Sequence, residues 1–117
     1  MIVVDRRSVI PVQKQIALQI KKEIILGRLR QGDKLPPVRE LAQNLGVNVN
    51  TVLKALDELV NEGVLIVQHG KGYFVSESEI LKKELIAELE EIAGRLKENG
   101  VDRSLAMILL MEVWPRG

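Results

Sequence analysis

Asn50 and Lys54 stand four positions apart, so on a helix their side chains lie one above the other. An asparagine amide suits adenine N6 and N7, and a lysine ammonium suits guanine O6 and N7 or a phosphate oxygen. Thr51 and Val49 sit at the margins of the same face, where they could touch a thymine methyl or a phosphate. Other chemistries lack their parts. A catalytic triad needs a base within reach of a nucleophile, and the one histidine, His69, lies in a glycine-rich turn. The chain has no cysteine, and its carboxylates show no metal-ligand spacing, so neither a metal nor a cofactor is expected. Glu90 and Glu91 are helix neighbours that point in different directions. The glycines around Lys71 are too closely spaced for a phosphate loop and have strands on both sides. The chain reads as a binding protein, not an enzyme.

The elements that must carry these residues follow from periodicity and punctuation. Met1 to Asp5 reads as a short extended piece. From Pro11, the recurrence of Val12, Ile16, Ile20 and Ile24, widened by Ala17 and Ile25, predicts an amphipathic helix that Gly27 stops. Arg28 to Pro37 is a connector broken by Gly32, Asp33 and two prolines. A short helix from about Pro37 to Leu45 should bury Leu41, Ala42 and Leu45, and Gly46 ends it. Asn48 is a good N-cap for a third helix running to about Glu62, ahead of Gly63. Its Val52, Leu56, Leu59 and Val60 gather on one side as core, which turns Asn50, Lys54, Asp57 and Asn61 outward. Val64 to Gln68 and Tyr73 to Val75 flank the glycine turn as a hairpin. A short helix, a tight turn, a second helix and a hairpin make a winged helix-turn-helix.

Ser76 to Glu79 reads as a polar joint, followed by a helix from about Ser78 to Asn99 that lines up Leu81, Leu85, Leu89, Ile92 and Leu96. Asp102 or Ser104 could cap a last helix ending near Trp114, and Trp114-Pro115 reads as a natural stop. That last helix is apolar nearly all round, through Leu105, Ile108, Leu109 and Trp114, so it must be covered on more than one side. One partner helix cannot cover it, and the tail is too short to hold a core alone. A second copy of the chain can, in a four-helix arrangement about a two-fold axis. The expected architecture is α+β, mostly α: a winged helix-turn-helix over residues 1–75 and a two-helix dimerisation tail over residues 76–117.

The chain's 117 residues, 46% hydrophobic and 28% charged, suit a globular protein of one small domain plus an appendage. No signal-peptide pattern opens the sequence, and the longest strongly apolar run, Leu105 to Met111, is too short to cross a bilayer. A cytoplasmic location is therefore expected. The net charge of +1 conceals an asymmetry: through Val75 there are 11 Lys/Arg against 7 Asp/Glu, and from Ser76 onward 6 against 9. A basic front half suits a polyanionic partner.

The run LPPVRELAQNLGVNVNTVLKALDELVNEGVLIVQHGKGYFV resembles the DNA-binding domain of the GntR family of transcription regulators, and IPVQKQIALQIKKEIILGRLRQGDKLP is similar to its first helix and loop. The short tail resembles that of the YtrA subfamily, whose two C-terminal helices serve dimerisation. The resemblance covers about residues 8–75. It implies that Arg39, early in the second helix, meets DNA, that Asn48, Asn50, Thr51 and Lys54 occupy recognition-helix contact positions, and that His69 and Gly70 form a wing tip entering the minor groove. Lys71 adjoins them as the wing's own positive charge. The chain departs from the family where Val49 and Leu53 replace frequent arginines, Pro37 replaces a capping serine and Gln13 replaces a tyrosine. The resemblance implies a homodimeric repressor on a palindromic operator, with half-sites about 34–36 Å or a multiple of that apart. A small-molecule effector could enter at the dimer core, although no polar group of the last helix converges on one. The alternative is a winged-helix protein-interaction module without DNA binding.

Overall fold

The computed structural model describes residues 2–117. Their elements run α1 (Val12–Ile25), α2 (Val38–Leu45), α3 (Val49–Asn61), β1 (Leu65–Gln68), β2 (Gly72–Val75), α4 (Lys83–Glu98) and α5 (Arg103–Val113). The chain divides into two compact units, one ending at Ile80 and the other spanning Leu81–Gly117.

The first unit is built around α3, which packs on α1, α2 and β1. Ile16 and Ile20 of α1 meet Val52, Ala55, Leu56 and Leu59 of α3 in one core cluster, all of them fully buried. Leu41 and Ala42 close it from α2, and Leu35, Val64, Leu65 and Val75 from the connector and wing. Leu45 and Val60, expected as core, are half-buried at its edge. Gly46 turns the chain at φ 66°. Its N–H donates to the Gln43 carbonyl at 3.2 Å, and the Val47 N–H donates to the Ala42 carbonyl at 3.0 Å. This paired closure satisfies the last carbonyls of α2 and requires a left-handed residue. Asn48 then starts α3, its Oδ1 accepting the Asn50 N–H at 2.7 Å.

The hairpin pairs Leu65 with Val75, Ile66 with Phe74, Val67 with Tyr73 and Gln68 with Gly72. Lys34, in a segment read as plain connector, forms a bridge to Phe74 and so adds a short third edge. Ser76, expected in an exposed joint, is buried; its Oγ donates to the Gly63 carbonyl at 2.6 Å and accepts the Ser78 N–H at 3.2 Å. This tether, with Ile80 packed on the core, keeps the chain out of helical conformation. The fourth helix therefore begins at Lys83, not near Ser78, and leaves Leu81 outside it.

In the second unit α4 packs on α5. Asp102, not Ser104, caps α5: its Oδ1 accepts the Leu105 N–H at 2.8 Å. Neither helix contains a buried residue. Ile108, Met111 and Trp114 are 61%, 77% and 68% exposed. Among the described residues, no helix is long and apolar enough to cross a membrane.

Candidate nucleic-acid interface

The core face of α3 fixes what its opposite face shows. With Val52, Ala55, Leu56 and Leu59 buried, Asn48, Asn50 and Lys54 are exposed, and Thr51 is half-buried beside them. Val49 is exposed and Leu53 is half-buried. The Asn48 carbonyl oxygen is committed to the cap, which leaves its amide NH2 as the group able to donate outward. Arg39 is exposed in the first turn of α2. At the far end of the hairpin, His69, Gly70 and Lys71 are all exposed. The Lys71 N–H donates to the Gln68 carbonyl at 3.0 Å, with Gly70 at φ 75° supplying the positive angle that the third turn position needs. The eight residues singled out by sequence thus fall on α2, the front of α3 and the wing tip of one compact unit.

What sequence reasoning missed is the tie between the outward face and the wing. Asp57 follows Lys54 by three positions on α3, and its Oδ1 accepts the Tyr73 Oη–H of β2 at 2.8 Å. Burial, then the hydrogen bond to Asp57 and the charge of that carboxylate, push the Tyr73 pKa up to about 12 from 10.0. A raised pKa means that the neutral phenol is the form the fold favours. The linked stability is fully present below pH 10 and is lost as pH rises through about 12. Because Tyr73 is the chain's one tyrosine, tyrosinate absorbance reads this group directly. Asp57→Asn should move its midpoint down toward 10, and an unchanged midpoint would show that burial alone sets it. Lys34 was also missed. Its bridge to Phe74 places it beside the wing, where a Cβ on Gly72 would sit 3.3 Å from its Cε. The only signal for it in the sequence is a lysine between turn residues, which is uninformative without the pairing.

Electrostatically, the cations of this face stand apart from the ion pairs of the unit. Lys21 reaches Glu62 at 2.5 Å, and Arg28 reaches Glu23 at 2.8 Å, which ties α1 to the end of α3 and to its own exit. Among the described residues, no group of three or more acidic or histidine side chains is placed to hold a metal.

Residues 12–75 match the family described as bacterial regulatory proteins, gntR family. The chain belongs to the GntR family. Among GntR relatives, it is 45% identical over 78 residues to the HTH-type transcriptional repressor YtrA of Bacillus subtilis (strain 168), covering 67% of this chain and 60% of that protein. YtrA from Sulfolobus acidocaldarius, a GntR-family transcription factor of known structure, is 44% identical with a TM-score of 0.63, over 80% of this chain and 97% of that one. The DNA-binding domain of AraR, solved in complex with operator ORX1, is 31% identical with a TM-score of 0.60, over 63% of this chain and 94% of that one. The GntR winged helix-turn-helix expected from the sequence, with two helices after it, is the fold observed. The matched family is one of bacterial regulatory proteins, and the chain spans 60% or less of the length of the first curated relatives it matches.

Proposed function

We propose that this chain is a DNA-binding transcription repressor that grips a palindromic operator as a homodimer. The observation that carries the reading is the exposure of Asn50 and Lys54 together at the front of α3, directly after a tight turn. Recognition helices present their N-terminal residues to base edges in the major groove. In this reading Asn50 and Lys54 read bases, with Thr51, Asn48 and Arg39 placed on backbone or base margins. His69, Gly70 and Lys71 enter the adjacent minor groove. AraR's DNA-binding domain, bound to its operator in the solved complex, supports this assignment by likeness. Such a regulator works in the cytoplasm, where promoter DNA is.

The tail, residues 76–117, is assigned to dimerisation. Leu85, Leu89, Ile92, Leu105, Ile108, Leu109 and Trp114 are exposed within the single chain, and Leu96 is half-buried. A cleft of about 540 Å³ opens between α4 and α5, walled largely by Leu89, Ile92, Leu96, Met107 and Leu110. Apolar faces of this extent call for a cover, and a second copy presents the same faces about a two-fold axis.

The test begins with selection of bound duplexes from a random pool by the purified chain. On the selected duplex, Lys54→Ala should cost about 1–3 kcal/mol, roughly 5- to 150-fold in affinity, and relax preference at one base position. Equal loss on every sequence would reassign Lys54 to a phosphate. Failure to bind any duplex at low salt would end the DNA reading altogether.

A further inference from the structure

Resting on the reading of α3 as a DNA reader, we propose that the N-terminal arm, Asp5 to Ile10, is a separate DNA-backbone contact whose Arg7 guanidinium takes a phosphate beside the groove that α3 enters. The arm is a fixed loop. One buried amide, Gln15 of α1, holds both its ends: Gln15 Oε1 accepts the Asp5 N–H at 2.8 Å, and Gln15 Nε2 donates to the carbonyls of Asp5 at 2.8 Å and Ile10 at 2.7 Å. Within the loop, Asp5 Oδ1 accepts the Arg7 N–H at 2.9 Å and Ser8 Oγ accepts the Ile10 N–H at 3.1 Å.

Arg6 sets where the loop lies. Its guanidinium donates to the carbonyl of Gly46, the residue that turns the chain from α2 into α3. Since the front of α3 is the part that meets base edges, the turn just before it lies at the lip of the groove, where a phosphate strand passes. A structural clamp would need Arg6 alone. Arg7 is exposed next to it, and neither guanidinium has an ion-pair partner among the described residues. The one carboxylate in the loop, Asp5, is turned to a backbone N–H. The Arg6 guanidinium and the positive end of α3 thus meet at this lip, Arg7 is exposed one residue further along the same loop, and an arginine fork matches phosphate oxygens in pairs. Because the loop is already ordered, little conformational entropy is lost on contact.

A phosphate contact has a signature that a merely structural residue lacks: each one contributes about 0.9 to the slope of log affinity against log salt. Affinities of the intact chain, Arg7→Gln and Lys54→Ala are measured on the selected duplex and on a scrambled duplex of equal length, from 50 to 200 mM salt. Arg7→Gln should lower the slope by about 1, equivalent to roughly 3-fold less loss of affinity across that range, on both duplexes alike. Arg6→Lys keeps the charge and should keep the slope. Intact binding and a weakened Lys54→Ala beside an unchanged slope in Arg7→Gln would remove the arm from the interface while leaving α3 in it. No binding by the intact chain would overturn both readings.

Discussion

Leu109→Glu should leave the chain sedimenting near its monomer mass of 13.1 kDa at concentrations where the native chain runs at twice that, with operator affinity falling about 10²- to 10⁴-fold. The size of the effect comes from two steps. Leu109 is 43% exposed in the single chain, on a helix with no buried residue of its own. Its remaining surface is available to be buried by a second copy. In a two-fold dimer a carboxylate at that place would enter the interface twice, once per protomer. Desolvating an unpaired charge costs several kcal/mol, more than one leucine contact supplies. The second step is at the operator. Two recognition helices joined through a scaffold bind as one, because the second half-site is engaged at a high effective concentration. A monomer loses that gain and keeps only one half-site's contacts. Circular dichroism should remain helical, since the first unit has its own core. A Leu109→Glu chain that still sediments as a dimer would refute the tail assignment.

The first unit was legible in the sequence wherever the signal was local. The four-residue recurrence from Val12 to Ile24, the glycines at 46 and 63, and Asn48 ahead of an apolar stripe each act within one or two turns of chain. Each turned up in place, down to the Asn48 cap. The outward face of α3 was legible for the same reason: once the buried side is known, the geometry of a helix fixes the other. What stayed hidden pairs residues distant in sequence. Tyr73 with Asp57 spans 16 positions, Arg6 with Gly46 spans 40, and the Lys34–Phe74 bridge joins a connector to a strand. Such pairs leave no periodic trace, because either partner alone is an ordinary surface residue. The start of α4 was misplaced on similar grounds. Ser78 has the composition of a cap, but its N–H is taken by Ser76, and Ser76 is anchored to Gly63.

A second large effect lies in α3, where folding and binding can be separated. Leu56 is fully buried, two positions after Lys54, at the centre of the cluster that joins α3 to α1, α2 and β1. Leu56→Ala should lower unfolding free energy by about 2–5 kcal/mol, the sum of lost transfer energy and the cavity left behind. A unit of about 80 residues holds roughly 4–12 kcal/mol in total, so this one change removes a large share, and the urea midpoint should fall by about a sixth or more. Leu56→Met keeps the volume and should cost less than about 1.5 kcal/mol. Lys54→Ala, on the exposed face, should move stability by no more than about 0.5 kcal/mol while weakening operator binding. Leu56→Ala should do the reverse: at low temperature, where its folded fraction is still high, each folded molecule should bind with near-native affinity, because the outward face is unchanged. If Lys54→Ala instead unfolded the protein, or Leu56→Ala weakened binding with its fold intact, the division of α3 into a face that holds the unit together and a face that reads DNA would be wrong.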